Sequence, residues 1–347
     1  MSPRSNEESE DDEAPHPRAT SVLFGHAAAE AALLAAYRSG RMPHAVLLVG
    51  PKGIGKATLA YRIARFMLTH PDPAAPEVAA APSLAVDPAH PVSRRIAAQA
   101  QGDLLVLERT LSDRGVLHKQ IAVDDVRRTV SFFGSTAGEG GWRIAIVDAV
   151  DELNRSSANA LLKVLEEPPQ RALLVLVSHS AARVPATLRS RCRIVTLRPL
   201  AEGDVAAALA AATGSPAGDR EIAAAAAAAE GSVARALTLL EGDALELREQ
   251  ALELLERLPS LDTAALHALG EAIAGTDPQP LAAFVDTVNG WLSQRLQGGR
   301  AEIGRLVRLA EASQRINQAA RDAEIYNLER KPLVFDVFGL LAEATRG

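Results

Sequence analysis

Three features of the 347-residue sequence predict an α/β fold, a parallel five-stranded sheet flanked by helices, with helices alone beyond it. Five short apolar runs alternate with helical patterns over the first 200 residues. A glycine-rich loop joins the first run to an amphipathic segment, and no strand-like run appears after residue 200. Apolar runs of four to eight residues separated by helical stretches are what strands buried on both faces require.

The elements follow in order. Residues 1–14 hold six acids and one arginine, a net charge of −5, and residues 1–20 show no apolar periodicity, so an acidic disordered tail is expected there. The strand candidates are 45–49 (AVLLV), 104–107 (LLVL), 144–148 (IAIVD), 173–178 (LLVLVS) and 193–197 (RIVTL). They lie in a core domain spanning 21–200. Residues 70–102 are rich in proline and alanine and show no periodicity until 92–101, which reads as a surface insertion. A helix over 154–169 has Ser156 or Ser157 as candidate cap, an apolar face of Ala158, Leu161, Leu162 and Leu165, and the Pro168-Pro169 pair as its stop. Helical periods at 202–212 and 221–240 form a small lid over 201–243. Residues 244–347 read as an all-α domain broken near 274–280 and 297–300.

Composition excludes several classes. The chain is 48% hydrophobic and 23% charged, enough apolar material for a core and unlike a wholly disordered chain. Its one cysteine, Cys192, forms no internal bridge and supplies no multi-cysteine zinc site, which fits a reducing cytoplasm. No apolar run approaches the roughly 20 residues of a membrane span, and the acidic start is unlike a signal peptide. A soluble cytoplasmic protein with no membrane contact is therefore expected. The net charge of −6 falls almost wholly on the tail, so the body is near neutral and its net charge does not by itself point to nucleic acid.

The chemistry concentrates in a few motifs. Gly50-Pro-Lys-Gly-Ile-Gly55-Lys56-Ala57-Thr58 sits between a strand and a helix, where a phosphate loop belongs. Its glycines (Gly50, Gly53, Gly55) let backbone N–H groups curl around phosphate oxygens, while Lys56 reaches the outer phosphates. The residue after the lysine, whose hydroxyl would hold Mg²⁺, is Ala57, and Thr58 lies about 100° further round the helix. Asp148, at the end of the third strand, is the candidate second acid, but the following residue, where a water-activating base would stand, is Ala149. The Asp151-Glu152 pair lies beyond the strand and reads as a solvated surface feature. Without a base, hydrolysis loses orders of magnitude.

Taken with Ser157-Ala-Asn-Ala-Leu-Leu-Lys-Val-Leu-Glu-Glu-Pro-Pro169 and Ser190-Arg191-Cys192, the loop resembles the bacterial clamp-loader AAA+ family, subunits of the DNA polymerase III holoenzyme. The resemblance covers residues 21–240 strongly and the C-terminal helices, like the family's collar, more loosely. It implies an AAA+ core, a helical lid and an oligomerisation collar. With Ala57 and Ala149 in place, the chain looks like the family's rigid, non-hydrolysing stator rather than a motor. The resemblance implies that Arg191 is an arginine finger acting in trans on a neighbouring motor's ATP. It also implies a degenerate nucleotide site of Gly50, Gly53, Gly55, Lys56, Thr58 and Asp148, holding ATP or ADP without efficient hydrolysis. Implied partners are gamma/tau-like motor subunits, a delta-like clamp-opening subunit and, through the complex, the sliding clamp and primed DNA. Arg155 and Ser156, at a helix start, are candidates for the DNA backbone, with Arg127 and Arg128 as alternatives.

Three departures stand out. The four-cysteine zinc module of the family is absent, so no zinc is expected. Ser178 or Ser180, flanking His179, match weakly the residue that senses the γ-phosphate. The lid arginine is displaced by one position, to Arg235, which rotates it away from a nucleotide. An active ATPase motor, with Asp151-Glu152 replacing the missing base, and a stand-alone P-loop kinase are the competing readings. The paired alanines argue against the first, and the hundred-residue helical C-terminus against the second.

Overall fold

The computed structural model describes residues 16–110, 120–134, 141–275, 277–297, 303–326 and 328–346. Residues 1–15 of the expected disordered tail lie outside them, whereas 16–20 are ordered, with Arg65 Nη2 donating to Arg18 O at 2.7 Å and Nη1 to Thr20 O at 3.3 Å. Two compact units divide the chain, the first ending at Ala234 and the second beginning at Arg235.

In the first unit the order is α1 (Ala27–Arg38), β1 (Ala45–Val49), α2 (Lys56–Thr69), α3 (Pro76–Ala80), α4 (Pro91–Ala97), β2 (Leu104–Glu108), α5 (Val123–Gly134) and β3 (Arg143–Asp148). Then come α6 (Arg155–Glu166), β4 (Ala172–Ser178), α7 (Ala186–Arg189), β5 (Arg193–Thr196), α8 (Glu202–Thr213), α9 (Arg220–Ala228) and α10 (Val233–Leu240), which crosses the boundary. The five strands form one parallel sheet in the order β2-β3-β4-β1-β5.

Alternation along the strands splits the core into two layers. Leu173, Val175 and Val177 of β4 face the α1–α2 side with Val46, Leu48, Ile144 and Ile146. Ala172, Leu174 and Leu176 face the other side, with α5 and α6. A period-two strand buried on both faces reads as an unbroken apolar run, which is why these strands were legible. The C-terminal ends of the strands come level, since Glu108 pairs Asp148, Asp148 pairs Val177, and Val49 pairs both Ser178 and Thr196. β1 joins its loop to α2 at this edge of the sheet, next to the later strands β4 and β5, where open α/β sheets bind ligands.

The proline-rich stretch is not a loose surface loop. Val78, Leu84, Val92 and Ile96 are buried in the same core layer as α2. Arg38 Nε donates to Val78 O at 2.7 Å, and Leu84 N donates to Glu30 Oε1 at 3.0 Å. Prolines and alanines space these anchors too irregularly to produce a period.

The lid helices α8–α10 bury Val205, Leu209, Ile222, Ala225 and Ala236. The helical run expected over 221–240 is broken by Glu230 and Gly231, both at positive φ. Leu200 N donates to Gly231 O at 3.0 Å there, tying the lid to the end of the sheet.

The second unit contains α11 (Ala244–Glu256), α12 (Thr263–Ile273), α13 (Pro278–Gln297), α14 (Ile303–Tyr326) and α15 (Arg330–Thr345). They pack around Leu255, Leu269, Phe284, Val288, Val334 and Phe338. The first expected break is the turn before α13, with Pro278 and Pro280 inside that helix's first turn, where a missing N–H costs nothing. The second, expected near 297–300, begins where α13 ends at Gln297; residues 298–302 lie outside the described residues.

Candidate functional site

The loop after β1 is held open from outside. Gly50 leaves no room for a side chain, since a Cβ there would lie 2.5 Å from Leu197 O. Gly53 has φ +78, and a Cβ would meet Ala234 Cβ at 2.7 Å and the Ser232 hydroxyl. The loop carbonyls are occupied one after another. Lys56 Nζ donates to Gly50 O at 2.8 Å and to Pro51 O. Ser232 Oγ donates to Lys52 O at 3.0 Å, and Ala234 N to Gly53 O at 3.3 Å. Ile54 O lies 2.7 Å from His26 Nε2. The backbone N–H groups of Gly53, Gly55, Lys56, Ala57 and Thr58, by contrast, find no acceptor among the described residues. Carbonyls turned out and N–H groups left over at a helix start are the arrangement that accepts phosphate.

The charges around the loop compete with burial. Lys56 is 3% exposed, and burial pulls its pKa from 10.5 down to about 8, against the opposing pull of Asp148 and Asp151. Burial raises Asp148 from 3.8 to about 6, with Lys56 the main counterweight. The sheet therefore brings Gly50, Gly53, Gly55, Lys56 and Asp148 together, with Thr58 half-buried on the first turn of α2. Ala57 offers no metal-ligating oxygen at the expected position, and Ala149, which is buried, offers no base.

The acidic pair beyond β3 differs from the solvated feature expected. Asp151 Oδ1 accepts from Ser178 Oγ at 3.0 Å, and Oδ2 accepts from His179 N at 2.6 Å. Glu152 is paired with Arg109 at 2.7 Å. Asp151 thus fastens the end of β4 and engages the Ser178 hydroxyl. His179 lies half-buried behind it, its pKa lowered first by burial and then by Lys56.

Arg191 occupies the other end of the sheet. Arg193, two residues on, pairs with Val46 near the start of β1, whereas the phosphate loop begins after Val49. The guanidinium is exposed; Nη2 lies 3.0 Å from Glu166 Oε1, and Nη1 donates to Thr187 O at 2.9 Å. Arg189 is turned inward, with Nη1 donating to Ala181 O at 2.9 Å. Cys192 is half-buried, and burial alone pushes its thiol up to about 11.

At the start of α6, Arg155 and Ser156 are both exposed. The cap is neither serine expected for it: Asn154 Oδ1 accepts from Ser157 N at 2.8 Å, and Ser157 is fully buried. Arg127 and Arg128 are paired at i, i+3 with Asp124 and Asp125, so their charges are met locally. Arg235 Nη2 donates to Asp286 O at 3.3 Å, within the second unit. Two further residues hold the loop, His26 at Ile54 O and Ser232 at Lys52 O, and their only sequence signals are the Gly25-His26 pair before α1 and the nearness of Ser232 to Arg235.

A family model described as "DNA polymerase III, delta subunit" matches residues 25–201. The chain is 36% identical over 149 residues to the DNA polymerase III subunit delta' of Pseudomonas aeruginosa, covering 43% of this chain and 41% of that one. It is 30% identical over 172 residues to the delta' subunit of Escherichia coli K12, covering 48% and 46%. The DNA polymerase III subunit gamma/tau of Mycobacterium tuberculosis is 29% identical over 196 residues, 56% of this chain and 31% of that one. The matched region spans less than half the length of each of these relatives.

Proposed function

The chain belongs to the DNA polymerase III, delta subunit family, and from that premise we propose that it is the delta-prime-like stator of a clamp loader. In this reading it does not hydrolyse ATP itself. It donates Arg191 in trans to the ATP site of a gamma/tau-like motor, and so supports loading of the sliding clamp onto primed DNA. A delta-like clamp-opening subunit completes the partners, the helices after residue 243 serve as the collar, and the assembly works in the cytoplasm.

One observation carries the reading. Arg191 is exposed at the opposite end of the sheet from the chain's own phosphate loop. Three residues of strand, about 10 Å, separate the level of Arg193 from that of Val49, and Arg191 lies further back still. Such an arginine serves a neighbour's phosphates rather than its own. A planar guanidinium entering a phosphoryl-transfer site contributes roughly 10³–10⁵ in rate.

The chain's own loop supports phosphate binding, because its N–H groups and Lys56 fit an anion. It does not support a well-held Mg²⁺, for want of a hydroxyl at Ala57, nor water activation, for want of a base at Ala149. ATP or ADP would be held by Gly50, Gly53, Gly55 and Lys56, near Thr58 and Asp148, without efficient turnover. Zinc has no part in this reading, since the chain has a single cysteine. Arg155 and Ser156, exposed on the first turn of α6, are the proposed contacts to the DNA backbone. No helix among the described residues is long and apolar enough to cross a membrane.

The test is ATP turnover by the purified chain. No turnover, unchanged by Lys56→Ala, is expected; steady turnover abolished by Lys56→Ala would make the chain a motor.

A further inference from the structure

We propose that Glu166 is a positioning residue for Arg191, setting the guanidinium in the orientation in which it meets a neighbour's phosphate; this rests on the trans-acting role of Arg191. Glu166 is the last residue of α6, a place where the helix dipole disfavours an acid. A cation facing it removes that penalty, and Arg191 Nη2 stands 3.0 Å from Glu166 Oε1. From the other side Nη1 donates to Thr187 O at 2.9 Å, with Ser190 Oγ at 3.5 Å. The guanidinium is thus held between the last residue of α6 and the Thr187 carbonyl of α7.

A guanidinium has five N–H donors in a fixed plane. These contacts engage Nη1 and set the Glu166 carboxylate beside Nη2 as an ion pair, while Nε–H finds no acceptor among the described residues. Glu166 therefore holds the charged end of the side chain in place while leaving Nε–H open to an oxyanion. Holding the group in advance lowers the cost of ordering a long side chain when the neighbour docks. Both groups are exposed, with relative side-chain exposures of 38% for Arg191 and 51% for Glu166, so the effect is modest.

The experiment uses the full chain in a loader assembled with gamma/tau-like and delta-like subunits, with primed DNA and clamp. Glu166→Ala is expected to lower kcat for DNA-stimulated ATP hydrolysis by about two- to fivefold, the effect of losing one exposed ion pair, with KM for ATP unchanged. Glu166→Gln, which keeps an acceptor but not the charge, falls in between. In an Arg191→Ala background Glu166→Ala is expected to change nothing further, because it acts only through the arginine. The thermal midpoint of the isolated chain is expected to stay the same or rise, since an acid leaves a helix C-terminus. Wild-type kcat in Glu166→Ala, a further loss in the Arg191→Ala background, or a gain in rate would each overturn the proposal. Loss in Arg191→Ala with none in Glu166→Ala overturns the role of Glu166 alone, whereas no loss in Arg191→Ala overturns the finger itself.

Discussion

Lys56 and Asp148 face each other in a place too dry for either, and their titration has a definite sign. Lys56 folds with a pKa of about 8 against 10.5, so the unfolded chain holds more protons between those values. Its contribution to stability therefore improves as pH rises from about 8 to 10.5, and its full cost is present below 8. Asp148, at about 6 against 3.8, does the reverse: the fold holds the extra proton, and stability declines as pH rises from about 4 to about 6. At neutral pH both costs are in force. In the proposed nucleotide site the lysine's charge holds the phosphate, so ADP affinity is expected to weaken as pH rises through about 8. Isothermal titration between pH 7 and 9 checks this, with Lys56→Ala losing both the affinity and the dependence. Asp148→Asn removes the largest opposing charge and is expected to move the loss of the Lys56 charge to lower pH. Gly53 is the other residue on which the loop turns. Gly53→Ala is expected to cost about 1–2 kcal/mol in denaturant titration, from left-handed strain, with the Ala234 contact adding to it. Adding Ser232→Ala should recover part of that loss by removing the hydroxyl that a new Cβ would strike.

The α6 helix shows what a sequence reveals about an element and what it hides. Its extent and its apolar face were legible, because Ala158, Leu161 and Leu165 recur at helical spacing and are buried. Its cap was not, since Asn154, Ser156 and Ser157 all have capping chemistry, and only the approach of the chain from the 3-10 turn at Val150–Glu152 selects among them. Asn154→Ala is expected to lose about 1 kcal/mol in chemical denaturation, and Ser156→Ala, which caps nothing, essentially none. The central strands β1, β3 and β4 were legible nearly to the residue because burial on both faces leaves an unbroken apolar run, whereas the edge strands β2 and β5, half-buried or exposed, showed only as short apolar runs. Residues 70–102 were not, because Val78, Leu84, Val92 and Ile96 reach the core from short segments with no shared period. The break after α9 was obscured by the alanine run before it, since helix propensity there outweighs the single turn signal of Gly231. Asp151 was misread for a related reason: its partners, Ser178 and His179, arrive from a strand 27 residues later.

At the scale of the molecule, the site residues fall into two groups set apart by sheet topology. The phosphate loop and Asp148 sit where the strands end, and Arg191 with Glu166 sits where they begin. The sequence carried each motif but not this separation, which comes from the crossovers that return the chain to the start of β5. The first group has the N–H groups and lysine that suit a phosphate and lacks a hydroxyl at Ala57 and a base at Ala149; on the proposed function, the second is completed by another chain's triphosphate. The proposed function is accordingly that of a subunit that influences ATP hydrolysis without performing it. The most direct test is DNA-stimulated ATPase of a loader reconstituted with Arg191→Ala, with Arg189→Ala alongside as a control for local structure. The account predicts that Arg191→Ala assembles normally yet loses the turnover of the motor site it adjoins, while Arg189→Ala, whose guanidinium binds Ala181 O, keeps catalysis wherever it folds. Full turnover and clamp loading with Arg191→Ala would contradict it.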